Sequence, residues 1–268
     1  MCGIAGLWST SAAVDAAGIA GLMGSQLAHR GPDDSGLWSD PEMGLALAHR
    51  RLSILDLSPE GRQPMISRGR RYVIVYNGEL YNHVELREAL GAVAWRGHSD
   101  TEVLLEAIDR WGLESALQRC VGMFALALWD RKERCLTLAR DRLGEKPLYY
   151  GQLDHALVFA SELKALRVRP QWRSEIDRHA LALYLQYGAV PAPHSIYRGI
   201  SKLAPGMMVR FGSPGDTAIA KPYWSAEQSA RQGRDSPVTM SEAKFCRALQ
   251  SSPEKVAAPQ PGDSPGDA

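Results

Sequence analysis

The sequence predicts an α+β fold in which antiparallel sheets are covered by a few helices. Two observations carry that reading. Between Gly122 and Ala160, four β-prone runs follow one another at spacings too short for βαβ crossovers. Helical periods, by contrast, are few, and the clearest one is amphipathic.

The elements follow in order. Cys2 to Trp8 reads as a short strand, and about Val14 to Ala28 as a helix rich in small residues. Gly44 to Ala48 and Tyr72 to Tyr76 read as strands. The second is expected to end at Asn77-Gly78, a dipeptide that favours a sharp turn. Helices are expected at about His83–Leu90 and Thr101–Trp111. In the latter, Val103, Leu104, Ala107, Ile108 and Trp111 share one face, and Asp100 stands before it as a candidate N-cap. Strands at Gly122–Asp130, Cys135–Arg140, Pro147–Gly151 and Ala156–Ala160 come next. A helix at Asp177–Tyr187 and a β segment at Met207–Phe211 close the ordered part. After Trp224 the chain turns to proline, serine and alanine, so residues 225–268 are expected to be a disordered, low-complexity tail.

Composition narrows the function classes. The chain has 268 residues, 45% of them apolar, enough for a sizeable core without crosslinks. Thirty-one basic against 30 acidic side chains give a formal charge of +1, which provides no global field for nucleic acid or an anionic membrane. Cys2, Cys120, Cys135 and Cys246 form no Cys-x-x-Cys or zinc-spaced cluster, which argues against a disulfide framework or structural metal. The apolar stretch from Cys120 to Trp129 is about half the ~20 residues of a membrane span. No Lys or Arg precedes Arg30, so the N-terminus lacks the basic region of a secretory signal. A soluble, cytoplasmic protein is the expectation.

Position 2 carries the most chemistry. Removal of Met1 would leave Cys2 with a thiol and a free α-amine on one residue. The amine titrates at about 7.7–8.0, a useful range for a general base. An amine that takes the thiol proton is one way to activate a nucleophile against an amide.

Cys2-Gly-Ile-Ala-Gly is followed by His29-Arg-Gly-Pro-Asp-Asp-Ser-Gly36 and by His49-Arg-Arg-Leu-Ser-Ile-Leu-Asp-Leu-Ser58. Further along come Tyr76-Asn-Gly-Glu79, Ser99-Asp-Thr-Glu-Val103 and Ala139-Arg-Asp-Arg-Leu-Gly-Glu-Lys-Pro-Leu-Tyr-Tyr150. In this order the motifs resemble the class II, N-terminal-nucleophile glutamine amidotransferase domain of glutamine-hydrolysing asparagine synthetases. The resemblance spans residues 2–224 and implies an Ntn-hydrolase four-layer αββα sandwich of antiparallel sheets. It also implies hydrolysis of L-glutamine to glutamate and ammonia through a γ-glutamyl thioester on Cys2.

The same resemblance implies the site. Arg51 would hold the substrate α-carboxylate, with Leu52 and Ile54 lining the pocket. Asn77 and Gly78 would form the oxyanion hole, where a missing Cβ clears the way for the reacting carbonyl. Glu79 and Asp100 would bind the α-ammonium. His29, His49 and His98 are not needed as bases beside an α-amine, and Arg30 reads as scaffolding. No cofactor and no metal is implied.

The family's second domain opens with a Ser-Gly-Gly-x-Asp-Ser pyrophosphate loop, which this sequence does not contain. ATP, magnesium and aspartate sites are therefore not expected. Three readings follow: a free-standing glutaminase, a truncated synthetase, or an inactive interaction module. The candidate partners are a separate synthetase subunit or a second copy of the chain. The Arg-x-Ala-Thr-His-Gly motif of sugar-phosphate and phosphoribosyl relatives is replaced here by His49-Arg-Arg-Leu-Ser-Ile.

Overall fold

A computed structural model describes residues 1–235, except 12, 154, 170 and 171. Met1–Ser225 form one compact unit and the residues from Ala226 onward belong to a second. The strands are β1 (Gly3–Ser9), β2 (Asp34–Asp40), β3 (Leu45–Arg51), β4 (Met65–Ile66), β5 (Tyr72–Leu80), β6 (Gly122–Asp130), β7 (Cys135–Arg140), β8 (Tyr149–Leu153), β9 (Ala156–Ala160), β10 (Ile200–Lys202), β11 (Met207–Phe211) and β12 (Lys221–Pro222). The α-helices are α1 (Ala16–Ser25), α2 (His83–Leu90), α3 (Asp100–Trp111), α4 (Leu113–Arg119), α5 (Leu163–Leu166), α6 (Arg178–Tyr187) and α7 (Ala226–Asp235).

Two six-stranded sheets result, in the orders β10-β8-β9-β1-β3-β2 and β12-β11-β7-β6-β5-β4, and their strand pairs are antiparallel. The two-residue period of each strand sorts its side chains between layers. Ile4 and Trp8 of β1, Leu45 and Leu47 of β3, and Val73 and Val75 of β5 enter the core between the sheets. Trp8 meets Trp129 edge to face there, with ring centroids 5.1 Å apart. Full burial of one such side chain is worth roughly 1.5–3 kcal/mol. On the outer face of the first sheet, Ala5 and Leu7 pack with α1 residues such as Ala20 and Met23. On the outer face of the second, Ile74 and Tyr76 pack with Val103, Leu104 and Ile108 of α3. The layers are therefore α, β, β, α.

Several expectations are corrected. The chain does not turn at Asn77-Gly78; β5 runs on to Leu80, with Asn77 opposite Ala125 and Gly78 opposite Phe124. Nine continuous pairs with β6 outweigh the local preference of that dipeptide. Asp100 is not the cap of α3. Ser99 is, its side chain accepting from the Glu102 N–H at 3.2 Å. Asp34–Asp40 carries no apolar alternation, yet forms an edge strand on β3. Ala226–Asp235 lies in the segment expected to be disordered but is helical, with a Glu227–Arg231 pair one turn apart. The rest of that expectation, residues 236–268, lies outside the described residues.

Candidate active site

Strand parity assembles the site. Cys2 continues the inward-facing series of Ile4 and Trp8, Arg51 that of Leu45 and Leu47, and Asn77 and Glu79 that of Val73 and Val75. The register that pairs Gly3 with Arg50 carries Cys2 to the end of β3. There the Leu52 N–H donates to Cys2 Sγ at 3.4 Å, and the thiol lies 3.7 Å from the Leu52 carbonyl oxygen. Arg30 Nε donates to the Cys2 carbonyl at 3.0 Å, and its Nη1 donates to Glu162 Oε1 at 2.7 Å. The nucleophile candidate is therefore fastened on both sides of its Cα.

Cys2, Arg51, Leu52, Ile54, Asn77, Gly78, Glu79 and Asp100 all line one cavity of about 120 Å³. Burial raises the Cys2 thiol above its ordinary pKa, while the Leu52 N–H and nearby Arg51 act in the opposite direction. The α-amine of Met1, at the mouth of the same cavity, is lowered by burial, with Arg30 and Lys146 adding to the effect.

Arg51 is buried and held as a fork, with one Nη donating to the Ser58 carbonyl at 2.9 Å and the other to that of Asp56. A methyl group at Gly61 would overlap this guanidinium. The bound loop is itself tied by Asp56, whose carboxylate accepts from the Ser58 and His98 N–H groups at 2.8 and 3.0 Å. Ile54 is 63% exposed and forms part of the rim rather than a buried wall.

Asn77 is buried and its Nδ2 has no hydrogen-bond partner among the described residues. A buried unpaired donor costs about 1–3 kcal/mol, so this one is held ready for an acceptor. Gly78 is required by the sheet: a methyl group there would collide with the Met123 carbonyl oxygen and with Phe124. Close packing of β5 on β6 thus demands the glycine, a stronger cause than clearance for a ligand.

Asp100 Oδ2 accepts from the Leu80 N–H at 2.9 Å and the Tyr76 hydroxyl at 3.1 Å. Burial raises its pKa, and those two donors oppose the rise. Glu79 is half-buried and its carboxylate makes no hydrogen bond or ion pair among the described residues. The cavity therefore holds one carboxylate fixed by donors and one free to meet a cation.

The sequence reading missed Gln63, which is buried beside the site. Its Oε1 accepts from the Tyr76 N–H at 2.6 Å and its Nε2 donates to Thr101 Oγ1 at 3.2 Å. It joins β5 to α3 from a loop thirteen residues upstream of Tyr76, and no local pattern marks it. Lys146, within the Ala139–Tyr150 motif, is also buried and lines the cavity. His49 is buried with Nε2 3.1 Å from the Tyr76 carbonyl, and burial lowers its pKa to about 4, so it is neutral. His29 is an exposed partner of Glu162 at 3.0 Å. Among the described residues, no group of three or more His, Cys, Asp or Glu could hold a metal ion, and no helix is long and apolar enough to cross a membrane.

An αββα sandwich with a cysteine at position 2, immediately before its first strand, defines the class of the molecule. The family described as "Glutamine amidotransferase domain" matches residues 1–224, and the chain belongs to that family, with the Ntn-amidotransferase fold. Asparagine synthetase [glutamine-hydrolyzing] 3 of Bacillus subtilis (strain 168) is 38% identical over 213 residues, which cover 76% of this chain and 33% of that protein. Asparagine synthetase [glutamine-hydrolyzing] 1 of the same strain is 38% identical over 231 residues, covering 84% and 36%. The chain thus spans about a third of the length of these curated relatives. The fold is also that of the glutamine phosphoribosylpyrophosphate amidotransferase from B. subtilis, with a TM-score of 0.61 at 22% identity, covering 83% of this chain and 49% of that one.

Proposed function

We propose that this domain hydrolyses L-glutamine to glutamate and ammonia at Cys2, through a γ-glutamyl thioester, as the glutaminase part of an asparagine synthetase-like enzyme. The observation that carries the proposal is the unpartnered, buried Asn77 Nδ2 in the same cavity as Cys2 Sγ.

The residues divide the work by charge. Glu79 and Asp100 face the substrate ammonium, and the Arg51 fork meets the α-carboxylate, placing the side-chain amide toward Cys2. The orphan Asn77 Nδ2–H and the Gly78 backbone N–H donate to the carbonyl oxygen as it becomes an oxyanion. Donors of this kind are worth roughly 3–4 kcal/mol each.

With Met1 removed, the α-amine of Cys2 takes the thiol proton as Sγ attacks Cδ. It then returns that proton to the leaving nitrogen, so ammonia departs and the thioester remains. Water, deprotonated by the same amine, attacks the thioester carbonyl; glutamate leaves and the thiol is restored. The burial that lowers the Met1 amine would act in the same direction on the new terminus, favouring its neutral, proton-accepting form.

The acceptor of the ammonia is proposed to lie on a synthetase domain or subunit, consistent with the relatives' greater length. The test is glutamate release by the purified chain beside Cys2→Ala, with intact mass recording loss of Met1. Turnover abolished by the substitution supports the reading. Full turnover in Cys2→Ala, or in a chain that keeps Met1, overturns it.

A further inference from the structure

The formal charge of the chain is only +1, yet five cationic side chains converge on one cavity at the end of the sandwich away from Cys2. Arg70 and Arg71 come from the β4–β5 turn, and Arg131, Lys132 and Arg134 from the β6–β7 turn. The turns are neighbours because Tyr72 pairs with Asp130 and the Arg131 N–H donates to the Arg71 carbonyl at 2.8 Å. They wall a cavity of about 490 Å³ whose lining also includes Asp40 at the end of β2 and Glu42 of the β2–β3 turn. From Tyr72 to Asn77 the strand advances roughly 17 Å, so this cavity is distinct from the one at Cys2.

We infer that it binds a phosphorylated small molecule. Arg71 is committed to Asp130 at 2.7 Å, but Arg70, Lys132 and Arg134 are exposed and form no ion pair among the described residues. Arginine forks match phosphoryl oxygens in pairs, and a concave site of this size suits a small ligand. Asp40 is occupied by its own turn, accepting from the Met43 N–H at 3.3 Å. Glu42 has no partner among the described residues and offers an acceptor to a ligand hydroxyl.

The backbone supplies an independent argument. Arg70 and Arg134 have φ of 57° and 51°, left-handed positions that glycine or asparagine fills at lower cost. The fold does not need arginine at either turn. Two adjacent turns nonetheless both present one, which points to a role for the guanidinium groups themselves.

The experiment is calorimetric titration of the full chain with pyrophosphate at low salt, beside the double variant Arg70→Gly and Arg134→Gly. Saturable one-site binding is expected, weakened by at least about tenfold in the double variant and reduced by added salt. The variant should melt at the same temperature or higher and release glutamate at the parental rate. Lys132→Glu, a change at an exposed side chain, should also weaken binding. Absence of binding at millimolar pyrophosphate, or unchanged binding in both variants, overturns the inference. So does binding of a poly-glutamate peptide without pyrophosphate binding, which would assign the patch to a protein partner.

Discussion

Asp100 Oδ2 lies 2.9 Å from the backbone nitrogen of Leu80, and this contact fastens the first residue of α3 to the strand that carries Asn77, Gly78 and Glu79. The same oxygen receives the Tyr76 hydroxyl, so the Asp100 carboxylate is held against the strand that carries Glu79 before any ligand arrives. Asp100 thus has a positioning task beside the charge that the proposed function assigns to it.

Substitution separates the two. Asp100→Asn keeps an acceptor oxygen for Leu80 but removes the charge, and it relieves the burial that raises the carboxyl pKa. The KM for glutamine should rise by about 10–100-fold, the value of a hydrogen bond to a charged group. Thermal stability should change little. Steady-state kinetics with a parallel melting curve checks both.

Asn77→Ala should show the opposite division. The Asn77 Nδ2 has no hydrogen-bond partner among the described residues, so its removal takes none of their bonds from the fold. Stability should move by less than about 1 kcal/mol, while kcat falls by about 10²–10³-fold, as for loss of one oxyanion donor. Glutamate release and chemical denaturation measure the two effects separately.

Gly78→Ala is expected to act through packing. Its methyl group would press on the Met123 carbonyl and on Phe124, forcing β5 from β6. A loss of about 1–3 kcal/mol is expected from such overpacking, read as a lower denaturant midpoint. A stability equal to the parent would show that the strands can separate without cost.

His49 sets a pH dependence. Its pKa is lowered from 6.5 to about 4 in the fold because burial disfavours the charged ring. The unfolded chain therefore takes up the proton first, and stability falls as the pH drops from 6.5 toward 4, by about 3 kcal/mol in all. Above 6.5 the contribution is complete. The difference in unfolding free energy between the parent and His49→Gln, followed across that window, should change by this amount.

Much of this site was legible because its parts are local motifs on strands of known parity. Cys2, Arg51, Asn77 and Glu79 follow inward-facing positions, so a correct strand assignment already points them at one another. Asn77-Gly78 misled because its turn preference is local, whereas β5 is held through Leu80 by pairing with a strand more than forty residues away. Asp100 misled in the same way: beside Ser99 it looks like a cap, and its actual partners Tyr76 and Leu80 are distant in sequence. Gln63 carried no signal at all, since a lone glutamine becomes meaningful only once β5 and α3 flank it. Asp34–Asp40 was missed because a half-exposed edge strand needs no apolar alternation.

The most direct test of the central claim is mass spectrometry of the chain acid-quenched during glutamine turnover. A γ-glutamyl group is expected on the N-terminal peptide, attached at Cys2 and absent in Cys2→Ala. Glutamate formed steadily with no adduct at Cys2, or with the adduct on another residue, would contradict it.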